Sequence, residues 1–459
     1  MDCSTQNTKV VVCDADTGEV VREGRAAHPD LTEVDARVWW QAWETASADL
    51  LEDVEAVAVG GQQHGMVLVD EAGEPVRDAL LWNDNRSASQ AEQLITELGG
   101  AQAWADATGS VPVASFTVTK LRWVAENEPD VAARAAGVML PHDWITHQLR
   151  GRSGEPTTDR GDASGTGYWS GAENAYRADL LRTAFGRDLA VPRVAGPREP
   201  VGEMPSGILL GPGTGDNMGA ALGLDLEPGD VVVSLGTSGT VFGVADRPTA
   251  DPSGIVAGFA DATGRFLPLV CTLNAARVIG AALRMAGAEL ADLDTLALSV
   301  PGTEGLVLLP FLDGERTPPL PHARGLLHGL TRANATPAHL VRASVEGMLC
   351  GLSDAVDALD ASGIAPRRIV LIGGAARSTA VQRIAADLFG LPVVVPEPAE
   401  YVALGAARQA AWSLSQDDAA PHWKRATTTV EPEPATREYY RGVREAYAAV
   451  LTGAGPLLA

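Results

Sequence analysis

Along the chain, short β-branched runs alternate with stretches whose apolar residues recur every three or four positions. That alternation marks buried strands interleaved with amphipathic helices. In the first half the pattern predicts a strand over 10–13, a turn over 14–18, and a helix over 38–51 carrying Trp39, Trp40 and Trp43. A strand over 54–59 then runs into Gly60-Gly61-Gln62-Gln63-His64-Gly65. A short strand over 67–69, a turn at 71–74 and a helix over 88–98 closed by Gly99-Gly100 follow. In the second half Val345, Met348, Leu352, Val356 and Leu359 form one stripe of a long helix. A buried strand over 369–372 leads through Gly373-Gly374-Ala375-Ala376-Arg377 to Ser378, the expected N-cap of a helix holding Val381, Ile384, Ala385 and Leu388. Gly390 ends that helix, and residues 391–395 form another strand. The segment 415–435 reads as an exposed loop before a last helix over 436–451. Strand, glycine turn, helix, strand is a crossover unit, and ligands bind outside the carboxyl ends of such strands.

A chain of 459 residues exceeds what one core supports, so two α/β domains are expected. Residues 192–212, rich in Pro and Gly, mark the change of region, giving domains over 1–223 and 224–459. The formal net charge of −24 argues against nucleic acid as a partner. It leaves a nucleotide open, because local donors outweigh a distant diffuse field at physiological salt. Lys9, Lys120 and Lys424 are the only lysines, and none completes a G-x-x-x-x-G-K loop. No G-x-G-x-x-G follows a strand either, which disfavours a dinucleotide dehydrogenase. Cys3, Cys13, Cys271 and Cys350 are scattered without metal or disulfide spacing. No membrane span or signal peptide is read, so the expected location is the cytoplasm.

Two hydroxyl-rich turns look like copies of one device. Ser4-Thr5-Gln6 precedes Val10-Val11-Val12, and Gly236-Thr237-Ser238-Gly239 follows Val231-Val232-Val233. Small residues beside a strand let N–H and O–H donors converge on phosphate oxygens. One such turn is an ordinary hairpin; a pair, one near the start of each half, suggests a duplicated fold holding a polyphosphate.

Taken in order, the motifs resemble those of the FGGY family of carbohydrate kinases, a branch of the actin-like ATPases. The resemblance covers Asp2 to Lys9, Gly61-Gln62-Gln63-His64-Gly65, Leu81-Trp82-Asn83-Asp84-Asn85-Arg86, Gly213-Thr214-Gly215-Asp216-Asn217 and Ser234 to Gly239. It continues through Leu308 to Pro318 and Leu371 to Ser378. It implies two actin-like (ribonuclease H-like) α/β domains of duplicated origin flanking a deep catalytic cleft. The implied reaction is ATP-dependent phosphorylation of a small-molecule sugar, D-xylulose, at its terminal hydroxyl. In that reading Asp216 is the general base, since transfer to a hydroxyl needs a carboxylate to take its proton. Gln63, His64, Trp82, Asn83, Asp84, Asp216 and Asn217 would hold the sugar, with Arg86 clamping from behind. Ser4, Thr5, Gly236, Thr237 and Ser238 would meet phosphates, and Gly373, Gly374, Ala375 and Arg377 would wall the adenosine. Asp2 would organise Mg²⁺ through water. The same resemblance admits a homodimer.

Each motif also has a bland reading. An acid in a glycine turn is ordinarily a surface turn, a lone histidine ordinarily structural, and Trp39, Trp40 and Trp43 are read as helix packing. The first motif departs from the family pattern: several apolar residues usually precede this Asp, here only Met1 does, and Ser4 stands where glycine is usual. A weaker first sheet, metal placement and ATP affinity are the expected consequences. A kinase for ribulose, glycerol or gluconate would share every phosphate motif. A weakly catalytic sugar-binding regulator and a protein-directed actin- or chaperone-like ATPase are further alternatives.

Overall fold

The computed structural model describes residues 1–455, which divide by packing into two compact units. Unit 1 comprises 1–226, 244–268 and 399–424; unit 2 comprises 227–243, 269–398 and 425–459, described to residue 455.

Unit 1 is built on a five-stranded sheet in the order Thr214–Gly215, Gly60–Gly61, Asp2–Cys3, Asn7–Cys13, Val20–Ala27. The first three run parallel, and the last two add antiparallel hairpins. Val20–Ala27 carries Arg22, Glu23 and Arg25 and stays largely exposed along its length, as suits an edge strand protected by charge. The helix Arg37–Ala46, shorter than the apolar pattern predicts, buries Trp39 and Trp43 in the core. Trp39 meets Trp144 edge-on at 6.3 Å, while Trp40 turns outward and donates its indole N–H to Glu44. The helix Ala88–Leu98 ends at Gly99 with φ 100°, a left-handed stop that glycine adopts without strain.

Of the strand expected over 54–59 only Ala56–Val57 forms, and Gly60–Gly61 beyond it makes a second short strand. Ala56–Val57 pairs with Leu209–Leu210, and Gly60–Gly61 joins the main sheet. Beside this break, Asp2–Cys3 is only two residues long, and the Met1 nitrogen donates to Ala58 O at 3.0 Å. A cavity of about 620 Å³ lies there, lined by Met1, Val10, Val12, Val54, Ala58 and Trp423 among others.

The helix Tyr401–Ser415 returns to unit 1 and packs on Asp216–Gly223. Their approach is so close that a Cβ on Gly405 would lie 1.8 Å from Gly219 O. Arg408 fastens the pair, donating to Leu222 O at 2.6 Å and to Asp225 at 2.5 Å.

Unit 2 repeats the hairpin start. Asp230–Leu235 and Gly239–Gly243 are antiparallel, 269–272 adds outside them, and Arg368–Ile372, Val393–Pro396 and Thr427–Val430 extend the other side. The helix Pro337–Ala361 is capped by the Thr336 hydroxyl, and Ser378 caps Thr379–Phe389 as the sequence predicts. The segment 415–435 is not the exposed loop expected of it. It contains the strand Thr427–Val430, and Trp423 is buried with its indole N–H on Ala15 O at 3.1 Å. Among the described residues no helix is long and apolar enough to cross a membrane.

Candidate active site

Three parallel strands of unit 1 end at one edge of the sheet. Asp2 and Thr214 both register with Gly60, so Asp2–Cys3, Gly60–Gly61 and Thr214–Gly215 end in one row. Just beyond those ends lie Ser4-Thr5, Gln62-Gln63-His64 and Asp216-Asn217. Strand carboxyl ends in such sheets leave the next residues free of the ladder, which is why ligands gather there.

Asp216 opens the helix Asp216–Gly223. Its Oδ1 accepts from the Asn217 amide at 2.8 Å and from Asn217 Nδ2 at 2.9 Å, and the same Nδ2 donates to Gln63 Oε1 at 3.1 Å. Asp216, Asn217 and Gln63 therefore form one hydrogen-bonded group. Although Asp216 keeps some exposed surface, protein surrounds its carboxyl. Burial, followed by the negative charge of Asp2, pushes its pKa up to about 7. Asp2 is buried too and raised for the same reason, while the Ser4 hydroxyl donates to it at 2.5 Å and Lys9 Nζ stands 3.8 Å away. Lys9 also pairs with Glu400 at 2.5 Å.

His64 has a left-handed backbone, φ 67°. This non-glycine strain is held by a bond from its Nδ1 to Gly165 O at 2.6 Å and by the Thr117 hydroxyl on its own carbonyl. Its ring stacks on Phe116 at 4.8 Å and tilts against Phe259 at 5.6 Å. Trp82 is exposed and donates its indole N–H to the Thr5 hydroxyl at 2.8 Å, linking the motif Leu81 to Arg86 to the first hydroxyl turn. Asn83 Oδ1 is buried without a hydrogen-bond partner. Asp84 sits in an internal network: its oxygens accept from Thr32, from the Arg86 amide and from the Arg86 guanidinium. Arg86 reaches on to Glu33 and lies 5.0 Å over Trp123.

In unit 2, Gly236, Thr237 and Ser238 form the hairpin turn after Asp230–Leu235. The turn is braced by the Ala276 amide on Gly236 O at 2.9 Å and by Arg277 Nε on Thr237 O at 3.2 Å. The parallel partner Arg368–Ile372 ends beside it and delivers Gly373 and the 3₁₀ turn Gly374–Arg377. Gly373, Gly374 and Arg377 are exposed there, and Ala375 is half-buried.

The comparisons with known proteins agree with this arrangement of motifs. The model of the FGGY family of carbohydrate kinases matches in both parts, its N-terminal domain over residues 1–221 and its C-terminal domain over 231–414. The chain belongs to the FGGY family of carbohydrate kinases. It is 48% identical to the xylulose kinase of Streptomyces coelicolor, over 100% of this chain and 96% of that one. It is 47% identical to the xylulose kinase of Streptomyces rubiginosus with the same coverage. The crystal structure of xylulose kinase from Bifidobacterium adolescentis superposes with a TM-score of 0.89 at 43% identity, covering 98% of each chain. The fold is thus that of a two-domain, actin-like FGGY kinase, and the chain is an ATP-dependent sugar kinase.

Several residues of this FGGY kinase escaped the sequence reading. Phe116, Gly165 and Phe259, which fix the His64 ring, come from three distant segments. In unit 2, Glu315, inside the motif Leu308 to Pro318 but given no role by the sequence, is buried and accepts from the Leu273 amide at 2.6 Å and from Asn274 at 2.9 Å. Beneath the loop that leads to Asp216 lie His142, Asp143, Asp159 and Asp162, all buried. Charged residues set among small and apolar neighbours, as in Asp159-Arg160-Gly161-Asp162-Ala163, were the available signal.

Proposed function

We propose that the protein phosphorylates D-xylulose, converting ATP and D-xylulose into ADP and D-xylulose 5-phosphate. The terminal hydroxyl oxygen attacks the γ-phosphorus, its proton passes to Asp216, and the bond from phosphorus to the bridging oxygen of ADP breaks. The observation that carries this reading is the place of Asp216 at the ends of parallel strands, its enclosed carboxyl held by Asn217 and its pKa raised by burial. A base with a pKa near the working pH combines an available ionised form with real affinity for the proton. Asn217 and Gln63 hold the carboxylate's orientation through the bonds described above.

The sugar contacts are assigned to Gln63, His64, Trp82, Asn83 and Asn217, with Asp84 acting through Arg86. The unpartnered Asn83 Oδ1 supports this, because a buried acceptor is stabilised by a ligand hydroxyl. Phosphate contacts are assigned to Ser4, Thr5, Gly236, Thr237 and Ser238, and the adenosine wall to Gly373, Gly374, Ala375 and Arg377. The donor set fits Mg²⁺: two neighbouring carboxylates, Asp2 and Asp216, repel each other, and a divalent cation beside Asp2 would relieve that. When bound with ATP, Mg²⁺ supplies positive charge to the phosphates. The choice of xylulose rests on the Streptomyces and Bifidobacterium xylulose kinases, at 43–48% identity over nearly whole chains.

A coupled ADP-release assay across ketoses and polyols tests the proposal, with Asp216→Ala as control. Turnover that depends on D-xylulose and vanishes in the variant is the expected result. Preferred turnover of ribulose, glycerol or gluconate would refute the substrate.

A further inference from the structure

Beneath the strand that delivers Asp216 lies a buried polar cluster that the proposed mechanism does not use. His142, at the start of the helix Pro141–Leu149, is fully buried and donates from Nδ1 to Asp162 Oδ2 at 2.6 Å. Asp143 Oδ1 is 3.4 Å from the same nitrogen. Asp159 caps the helix Arg160–Ser164, accepting from the Gly161 and Asp162 amides, and also accepts from the Thr214 hydroxyl at 2.8 Å. Thr214 is the first residue of the short strand Thr214–Gly215, and its amide bonds to Val59 O.

The imidazole of His142 also presses on the backbone that leads to Asp216. A Cβ on Gly213, where φ is 76°, would lie 2.6 Å from His142 Cδ2 and 3.1 Å from Nε2. A Cβ on Gly61 would lie 2.7 Å from His142 Cβ. Glycine at 213 lets the ring sit against the residue that precedes Thr214–Gly215, and glycine at 61 lets the backbone of His142 approach the end of Gly60–Gly61.

We propose that His142, anchored on Asp162, is a positioning residue for Asp216: with the Asp159–Thr214 bond it fixes the height of Thr214–Gly215 and so the place of the carboxyl. The inference rests on the reading of Asp216 as the base. Two covalent links separate Thr214 from Asp216, so displacement of the strand passes almost undiminished to the carboxyl. A misplacement of about 1 Å in a reacting group costs about 10²-fold in rate.

The electrostatics favour a fixed arrangement. Burial alone would pull the imidazole down, yet Asp143 and Asp162 beside it raise it to about 9, so the ring is an imidazolium at neutral pH. Asp143, Asp159 and Asp162 are all raised by burial, which leaves the ring their one cationic neighbour in the cluster. The phenols of Tyr168 and Tyr176 face the charges of Asp143 and Asp162, and burial holds both neutral. Asp162 also feels the charge of Asp216.

The test compares Thr214→Val, Thr214→Ser, His142→Gln, Asp162→Asn and Asp216→Asn in the full chain, with xylulose, ATP and Mg²⁺. Xylulose binding is measured alongside turnover. Thr214→Val and His142→Gln are expected to lower kcat about tenfold or more, with xylulose affinity within about threefold of the parent, as loss of alignment requires. Thr214→Ser, which keeps the hydroxyl, restores kcat. Asp162→Asn, which removes the carboxylate that anchors the imidazole, is expected to lower kcat as His142→Gln does, again with xylulose affinity nearly unchanged. A kcat within twofold of the parent in Thr214→Val overturns the proposal even if His142→Gln does not fold. So does loss of xylulose affinity in step with kcat, or failure of serine to rescue. Asp216→Asn with near-parental turnover removes the base reading itself, and the positioning role with it. That failure is distinct, since the other variants would then be judged against an intact mutant of the base.

Discussion

At the scale of single residues, Asp216 carries the sharpest expectation. Its pKa is raised in the folded chain, so the ionised base is lost as pH falls through about 7. The kcat/KM for xylulose is therefore expected to rise through pH 7 and level off above it, and a profile flat from about pH 5.5 to 8.5 would contradict the assignment. On the proposed role, Asp216→Asn lowers the rate by about 10²–10⁴-fold, far more than it weakens xylulose binding. Steady-state kinetics with a separate binding titration check both halves. Asp216, His64 and Asn217 were legible in the sequence because their neighbours form short contiguous motifs. Phe116, Phe259 and His142 were not, because their roles arise from chain crossings that no local pattern encodes. The network of Asp84 with Arg86 and Thr32 was half legible: Arg86 is two residues away, whereas Thr32 is reached only through the fold.

Among the elements, the two hydroxyl turns are unequal. In unit 2 the leading strand Asp230–Leu235 has six residues; in unit 1 Asp2–Cys3 has two, with the cavity of about 620 Å³ beside it. When Met1 carries the α-amino group, burial pulls its pKa from 8.0 down to about 6. The unfolded chain then binds more protons than the folded one between those values, so stability rises with pH across this window. Below about pH 6 the penalty is complete, about 3 kcal/mol at 1.4 kcal/mol per unit. Four or five alternating apolar residues added before Met1 would replace the ammonium with an amide able to keep the bond to Ala58 O. The extended chain should melt higher than the parent, and by a larger margin near pH 5.5 than near pH 8.5. Equal margins at both pH values, or none, would show that the cavity does not accept a strand. The strand Arg368–Ile372 and the helix Ala88–Leu98 were read correctly because their pattern is local, whereas the readings of 38–51 and 54–59 ran too long. The strand at 427–430 was missed because Thr427-Thr428-Thr429 is polar and pairs only at the sheet's edge.

For the molecule as a whole, sequence order and packing divide the chain differently. The family models take contiguous stretches, whereas 399–424 packs with 1–226 and supplies the helix that backs Asp216–Gly223. No periodicity announces such a return, since Tyr401–Ser415 looks like any buried helix. A fragment of residues 1–226 alone exposes the apolar face covered by that helix. It should lack a cooperative thermal transition, and a fragment that melts sharply would show the returning helix to be dispensable. The net charge of −24 has a separate consequence at this scale. ATP approaches a like-charged body, so its association rate should increase as salt rises from about 10 to 150 mM, as the Debye length shrinks from about 30 to 8 Å. Stopped-flow binding measures it, and a falling rate would mean that a local positive field dominates the encounter.

The bond between Trp82 and Thr5 gives the protein an optical property. Of its ten tryptophans, Trp82 is the exposed one; the others are buried or half-buried. Its emission, isolated as the difference between the parent and Trp82→Phe, reports on one indole whose N–H is tied to a hydroxyl of the first hydroxyl-rich turn. A nucleotide that recruits the Thr5 hydroxyl would release that N–H to solvent, whereas a sugar stacked on the ring would shield it. The two substrates should thus leave emission shifts of opposite sign on a single native chromophore, and their order of arrival can be followed without a label.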